Sequence, residues 1–392
     1  MKAIAIFCDG TWQHLDQRYP TNVAKLARAV APASAAGPQF VYYDDGVGVS
    51  SGVADNLTHL VGGATGQGLD YKIARAYEFL CLNYEPGDRI FIFGFSRGAY
   101  TARSLAGLLR LAWILKREEA SRVFEVAAFY RTRPKSTAPQ ADRDAFDAIM
   151  AKYRADHCYP DPPFLADQAY VPGDPSSLTP EAGCAWIQHV GVWDTVGSLG
   201  VPANLPFARE LDAKYDFNDT DLSRFVRSAR HAVSIDERRD TFAPTLWDNI
   251  DTLNKNAHAD GFAYADRPYQ QVWFPGGHGC VGGGGDDGGI SIPPLLWIAE
   301  GARRAGLALD EPQLALYARQ AHPDARFEGG GFSVGDFLIS LDGLSDRKGP
   351  DVFDEVSQSA RDRWVALPSY RPSPLRRSPD VLAGLEALAP VD

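Results

Sequence analysis

Cysteine is scarce in this sequence, and the few cysteines are not paired. Five occur in 392 residues, and no two of them form a C-x-x-C pair. They are Cys8, Cys81, Cys158, Cys184 and Cys280. An odd and scattered set argues against a disulfide framework and a zinc knuckle, and it is typical of a reducing compartment.

Basic clusters and long apolar runs are also missing. The chain carries 39 basic against 50 acidic residues, a net charge of −11, whereas a nucleic-acid-binding surface is basic. No apolar stretch approaches the roughly 18 residues of a transmembrane helix. The opening segment MKAIAIFCDGTW has neither the length nor the cleavage site of a signal peptide. We expect a cytoplasmic protein that binds no nucleic acid, with signal-independent secretion and transient membrane contact left open.

The motifs of common cofactors and metals are incomplete. The glycines of residues 62–68 lack the Gly-Lys-Ser/Thr ending of a P-loop. The pair Asp286-Asp287 supplies too few oxygens for calcium. Phe7 stands where the D-x-D-G-T loop of aspartate-nucleophile phosphatases has its nucleophile. We therefore expect no cofactor and no metal.

What the sequence does contain is an alternation of strand-like and helix-like segments. Strands are predicted at residues 2–8, 40–43, 89–93, 186–193 and 270–274, and helices at 23–30, 69–83, 97–115 and 294–305. Such alternation indicates a mainly parallel sheet with helices on both faces. The predicted fold is α/β and α/β-hydrolase-like.

The domain prediction follows from the same pattern. Residues 1–310 are predicted to form the catalytic domain, with mainly helical insertions at about 116–183 and 204–266 as candidates for a cap. Residues 311–392 are predicted to form a C-terminal extension that packs on the same domain.

The segment Gly94-Phe95-Ser96-Arg97-Gly98 fits the pattern G-x-S-x-G between a predicted buried strand and a helix. A sharp turn there would lift the serine above the end of the sheet, and the crowded backbone requires small residues at positions 94 and 98. This context favours Ser96 as a nucleophile. The alternative is a structural serine that caps the helix.

A serine nucleophile needs a histidine base and a carboxylate, which in this fold class follow it on loops after later strands. His278 lies at the end of a predicted strand, in a glycine-rich loop, and Asp194 ends the preceding predicted strand. His231 lies in a segment predicted to be helical, which disfavours it. The alternatives are a loop histidine bonded to the backbone and an aspartate in an Asx turn. The fallback acids are Asp161, Asp236 and Glu237.

An acyl-transfer site also needs donors for an oxyanion. The N–H of Arg97, at the start of the helix after the serine, is the first candidate. The second donor usually comes from a loop after an early strand, which favours the N–H of Gly10 or Thr11. Ordinary turn formation explains these two residues equally well.

Seven stretches of the chain occur together in one known family. They are FCDGTW (7–12), TNVAKLAR (from Thr21), YDDGVG (from Tyr43), GFSRGAYTAR (from Gly94), GVWDTVGSLG (from Gly191), HAVSIDERR (from His231) and WFPGGHGCVGGG (from Trp273). From residue 2 to about residue 300 the chain resembles an uncharacterised α/β-hydrolase family that includes the catalytic domains of phospholipase effectors of bacterial type VI secretion.

This resemblance implies a Ser–Asp–His hydrolase whose catalytic residues fall on Ser96, Asp194 and His278, and it implies a lipid or phospholipid substrate. The chain departs from the family at Cys280, where the loop usually carries an aspartate. Together the residues and the resemblance predict a carboxylic ester hydrolase that forms an acyl-enzyme with a small-molecule or lipid ester. The alternative is a catalytically inactive hydrolase-like module that binds a partner or a lipid.

Overall fold

A computed structural model describes residues 1–11, 13–46, 67–135, 137–160, 187–197, 221–223, 225–286, 289–322, 325 and 343–388. The strands are β1 (Ala3–Cys8), β2 (Ala33–Ser34), β3 (Gly37–Asp44), β4 (Arg89–Phe95), β5 (Ile187–Trp193), β6 (Ala229–Ser234) and β7 (Tyr269–Phe274). They form one sheet in the order β2-β3-β1-β4-β5-β6-β7. Neighbouring strands are parallel, apart from the short antiparallel pair β2–β3.

The described α-helices alternate with these strands. They are α1 (Asn22–Arg28), α2 (Gln67–Asn83), α3 (Arg97–Ala112), α4 (Val123–Thr132), α5 (Gln140–His157), α6 (Ile250–Asn256), α7 (His278–Gly282), α8 (Ile292–Arg304), α9 (Glu311–Ala318), α10 (Gln358–Ala366) and α11 (Pro379–Glu386). Short 3₁₀ helices lie at Arg117–Arg122, Asp240–Phe242, Tyr264–Asp266, Phe353–Glu355 and Ser373–Arg376. No helix within the described ranges has the length and apolar character needed to cross a bilayer.

The sheet is buried on both faces, as its continuous apolar strands require. In β1, Ile4 and Ile6 face a core shared with α2 and α3, whereas Ala5 and Phe7 face a second core shared with α1 and α8. Side chains alternate between the faces of a strand, so a strand covered on both sides is apolar throughout. The prediction of an α/β fold with a mainly parallel sheet is confirmed.

The predicted helical character of residues 204–266 is wrong at residues 229–234, which form the strand β6, whereas α6 and two short 3₁₀ helices do lie in the same segment. The sequence does not indicate this strand because it contains polar residues, whose side chains find hydrogen-bond partners in the folded protein. His231 accepts a hydrogen bond from the Thr195 N–H (3.2 Å) and bonds Gln271 Oε1 (3.0 Å). Burial, reinforced by the charge of Arg103, lowers the pKa of His231 to about 3. The candidate cap at 116–183 contains α4 and α5, while residues 161–186, 198–220 and 224 lie outside the described residues.

The C-terminal residues 343–388 pack against β6 and β7. Their apolar side chains form a third core with Val233 and Trp273 of the sheet. Val356 pairs with Trp273 in an isolated parallel bridge, and the Ser357 N–H donates to the Trp273 carbonyl (3.0 Å). The backbone of the edge strand β7 is therefore partly covered by this segment.

Candidate active site

The turn from β4 to α3 holds Ser96 in an unusual backbone conformation. Its φ is 58° and its ψ is −123°, a region that side-chain-bearing residues rarely adopt. Such a residue costs about 1–3 kcal/mol, so the surrounding structure must hold it in place. The Ser96 N–H donates to the Trp193 carbonyl (3.0 Å), and its side chain makes no capping bond to α3. The structure therefore gives no support to the capping alternative.

The small residues around the serine are required by close backbone contacts. A Cβ on Gly94 would collide with the Gly98 carbonyl, and one on Gly98 would collide with the Cys8 carbonyl. The start of α3 thus lies directly on the ends of β4 and β1. This explains why the predicted glycines flank Ser96.

A continuous chain of hydrogen bonds joins Ser96, His278 and Asp194. The Ser96 Oγ lies 2.8 Å from His278 Nε2, and His278 Nδ1 lies 2.6 Å from Asp194 Oδ2. All three residues are buried, with Asp194 0% exposed. They follow the carboxyl ends of β4, β5 and β7, which share one edge of the parallel sheet. The ring of His278 is thus bound by two side chains and not by the backbone alone.

Asp194 comes directly after β5, in the left-handed region at φ 41°. Its Oδ1 accepts the Ser234 N–H (2.8 Å), and both carboxylate oxygens accept further side-chain bonds. These contacts reach distant parts of the chain and do not form a local Asx turn. Burial would raise the pKa of Asp194, but the charge of Arg347 and the hydrogen bonds from His278 and Arg347 hold it below its usual range.

Sequence reasoning missed Arg347, which is 6% exposed and binds the Asp194 carboxylate. Its Nη1 donates to Oδ1 (2.6 Å) and its Nη2 to Oδ2 (2.9 Å). The same two nitrogens donate to the carbonyls of Ser234 (2.9 Å) and Phe242 (2.6 Å). Nothing in the sequence marks this arginine, because it lies in an irregular segment far from every motif.

Glu237, one of the fallback acids, supports the backbone of the histidine and does not bind its ring. Its Oε2 accepts the His278 N–H (3.1 Å), while the Arg239 side chain and N–H donate to Oε1 (2.8 and 2.9 Å). Burial opposes its charge, but the bonds and charge of Arg239 lower the pKa of Glu237 to about 2. Its carboxylate is thus held ionised beside the start of α7.

Asp236 has a similar structural part. It accepts the Gly276 N–H (2.6 Å) and the Tyr370 hydroxyl (2.9 Å), and burial raises its pKa. The third fallback acid, Asp161, lies outside the described residues. His278 itself is the first residue of the short helix α7, whereas a loop was predicted. Glu237 accepts the backbone N–H of His278 at the start of this helix.

Two phenyl rings enclose the imidazole of His278. The ring of Phe95 lies 4.7 Å and that of Phe242 4.6 Å from it, measured between centroids. Cys280 is buried on α7. The hydrogen bonds of the imidazole are therefore shielded from water, which strengthens them.

The predicted oxyanion donors lie on two segments beside Ser96. Arg97 is the first residue of α3, where the N–H groups have no intrahelical acceptor. A Cβ on Gly10 would lie 3.5 Å from the Ser96 Cβ, so residues 9–11 are adjacent to the serine. The Gly10 N–H donates to Asp9 Oδ1 (2.7 Å), which disfavours Gly10 as a donor. Thr11 Oγ1 is buried and has no hydrogen-bond partner among the described residues.

Comparison with known proteins adds a family to this geometry. The sequence model described as "T6SS, Phospholipase effector Tle1-like, catalytic domain" matches residues 2–301. A curated relative is the uncharacterized protein YEL023C of Saccharomyces cerevisiae, 27% identical over 251 residues, which cover 62% of this chain and 32% of the relative.

Two solved structures are also similar. A crystal structure of an uncharacterized protein from Pseudomonas aeruginosa has a TM-score of 0.40 and 18% identity, covering 86% of this chain and 49% of that chain. The structure of the Tle1 effector bound to the VgrG spike of the Type 6 secretion system has a TM-score of 0.32 and 15% identity, covering 72% and 51%. The chain thus spans about a third of the curated relative and about half of each solved chain.

Proposed function

The chain belongs to the family of Tle1-like T6SS phospholipase effector catalytic domains, and on that premise we propose that it is a serine hydrolase of carboxylic esters with an α/β-hydrolase fold. The observation that carries the proposal is the buried hydrogen-bond chain Ser96 Oγ–His278–Asp194, with distances of 2.8 and 2.6 Å. The order serine, aspartate, histidine along the chain is that of α/β-hydrolases.

The turn at Ser96 acts in this proposal as a nucleophile elbow. His278 Nε2 accepts the hydroxyl proton while Ser96 Oγ attacks the acyl carbonyl of the ester. His278 then gives that proton to the leaving alcohol, and the acyl group stays on Ser96. Water, deprotonated by the same imidazole, hydrolyses this acyl-enzyme and regenerates the serine.

The remaining groups stabilise charge. Asp194 accepts the Nδ1–H of His278, which keeps Nε2 as the acceptor facing Ser96 and stabilises the imidazolium that forms. The N–H groups of Arg97 and Thr11 are the proposed oxyanion donors, since the Gly10 N–H is already bound to Asp9. One such donor contributes about 10²–10³-fold to kcat in related chemistry.

We propose an acyl ester of a lipid or phospholipid as the substrate, on the basis of the family. We also propose action in the cytoplasm, because the described cysteines carry thiols and not disulfides. A transient contact with a membrane surface is part of the same proposal, since the enzyme has to bind a lipid substrate at the bilayer or after the lipid has left it.

The decisive test is covalent labelling by a fluorophosphonate, combined with hydrolysis of p-nitrophenyl esters and phospholipids. We expect the wild type to be labelled on Ser96, and Ser96→Ala to lose labelling and about 10⁴- to 10⁶-fold in kcat. Ser104→Ala, a buried serine on the same helix α3, is the matched control and should keep both. A folded wild type that takes no label would contradict the proposal and favour a binding module.

A further inference from the structure

We propose that Arg347 is a positioning residue for the reaction, and that it makes the segment after residue 343 part of the active site. This inference rests on the proposed function. Residue 347 lies beyond residues 2–301, which the family model matches. Its guanidinium reaches both oxygens of the carboxylate that orients His278.

The first argument is geometric. The Oδ2 of Asp194 accepts from His278 and from Arg347, and the Oδ1 accepts from Ser234 and from Arg347. A bidentate arginine–carboxylate interaction fixes the orientation of the carboxylate plane as well as its position. A carboxylate that cannot rotate keeps Oδ2 directed at the imidazole.

The second argument is the way in which Arg347 itself is held. Its guanidinium also binds the Ser234 and Phe242 carbonyls, and its own carbonyl accepts a bond from Arg377 (2.7 Å). The neighbouring Lys348 is exposed and pairs with Asp351 on the surface. Lys348 is thus a surface cation, whereas Arg347 is buried and its guanidinium bonds are directed at the Asp194 carboxylate and at two backbone carbonyls beside it.

The backbone next to Arg347 is anchored to the chain after β6. The Ser345 N–H donates to the Arg238 carbonyl (2.8 Å), and Leu344 pairs with Arg239 in an antiparallel bridge. The same stretch includes Glu237, which binds the N–H of His278. The C-terminal segment and the histidine are therefore both held by residues 237–239, the first through backbone bonds and the second through the Glu237 side chain.

The third argument is electrostatic. A carboxylate with no exposure loses its hydration, and a buried charge is tolerated only when it is paired. Arg347 supplies the pairing charge and holds the pKa of Asp194 low. The other titratable or charged groups nearby are His278, His231, Arg103, Asp236, Glu237 and Arg239. Without the guanidinium, burial would favour the protonated acid, which is a poorer acceptor for His278.

The test compares Arg347→Met and Arg347→Lys with Arg361→Met. Arg361 is the matched control, because it binds the carbonyls of Val356 and Phe353 in the same C-terminal region and does not touch Asp194. We expect Arg347→Met to lower kcat about 10- to 100-fold, below the loss of about 10⁴ caused by removing the triad charge, with KM unchanged. Arg361→Met should keep the wild-type kcat.

The pH profile distinguishes a positioning role of Arg347 from a purely structural role. In Arg347→Met the acidic limb of kcat/KM should move to higher pH, because loss of the buried guanidinium charge favours protonation of the hydrogen-bonded Asp194–His278 pair as the pH falls. Arg347→Lys retains the charge but not the bidentate hydrogen bond. It should therefore lower kcat and leave the acidic limb of the pH profile at its wild-type position. A folded Arg347→Met with a wild-type profile overturns the proposal.

Two further measurements keep every outcome informative. In an Asp194→Asn background, Arg347→Met should cost less than about 2-fold more, since residues that act through one another are not additive; a full additive loss overturns the proposal. If Arg347→Met does not fold, wild-type kcat in Arg347→Lys overturns it. If fluorophosphonate does not label the wild type, the proposed function is contradicted, and the role of Arg347 with it. If the wild type is labelled but the Arg347 variants keep wild-type activity, only the role of Arg347 is contradicted.

Discussion

The two ends of the hydrogen-bond chain are built in opposite ways. The turn at Ser96 is set by glycines two residues to either side, whose missing side chains let the backbones touch. The carboxylate of Asp194 is held by Ser234 and Arg347, which lie 40 and 153 positions away in sequence. Local sterics therefore fix the serine, and long-range contacts fix the acid.

Of these substitutions, the one at the acid, which long-range contacts hold, should have the largest effect on activity. Asp194→Asn keeps the shape but loses the charge, and we expect kcat to fall about 10⁴-fold because the imidazole is no longer held in the useful tautomer. Fluorophosphonate labelling should slow in parallel. Asp236→Asn, which changes a neighbouring half-buried carboxyl without contact to the ring, is the control. Loss of less than about 10-fold in Asp194→Asn would mean that another group orients His278.

A substitution in the turn around Ser96 should lower the stability of the folded protein. In Gly98→Ala the new Cβ would collide with the backbone carbonyls of Cys8 and Asp9, so we expect a loss of about 1–3 kcal/mol in the free energy of unfolding. Urea denaturation measures it. The matched variant is Gly279→Ala, where a Cβ meets no atom within 4 Å. Equal stability of the two variants would show that the turn is not sterically determined.

An effect on stability of similar size is expected at Glu237, which accepts the N–H of His278, the residue between the two ends. Its folded pKa of about 2 is below the ordinary 4.5, so its stabilisation is present above pH 4.5 and is lost as the pH falls toward 2. Glu237→Gln should lower the free energy of unfolding at pH 7 by on the order of 2 kcal/mol. The difference from wild type should shrink at pH 3 in urea denaturation. A difference that does not change with pH would contradict this account.

The sequence predicts much of the fold because its buried strands and glycines leave local signals. The run Ile90–Phe93 and the pattern around Ser96 are examples, and they fall where the structure has β4 and its turn. Strand β6 was missed because Arg230, His231 and Ser234 are polar, and only tertiary partners of their side chains make their burial tolerable.

The predictable part of the site has the same limits. Asp194 and His278 could be selected because both end strands, and the structure brings them to Ser96. The contacts of Arg347 and Glu237 depend on how separate loops meet in space, which no spacing along the chain reveals. The Gly10 N–H was named as a donor because backbone position alone does not tell which acceptor a turn will choose.

The bridge between Val356 and Trp273 bears on where this molecule can be cut. A fragment that stops at residue 301, the end of the family match, would uncover the backbone of Trp273 and the indole ring that the last helices enclose. An open strand edge invites pairing with other chains, so such a fragment should aggregate. We therefore expect that the boundary visible in sequence similarity is not the boundary of a self-sufficient folding unit.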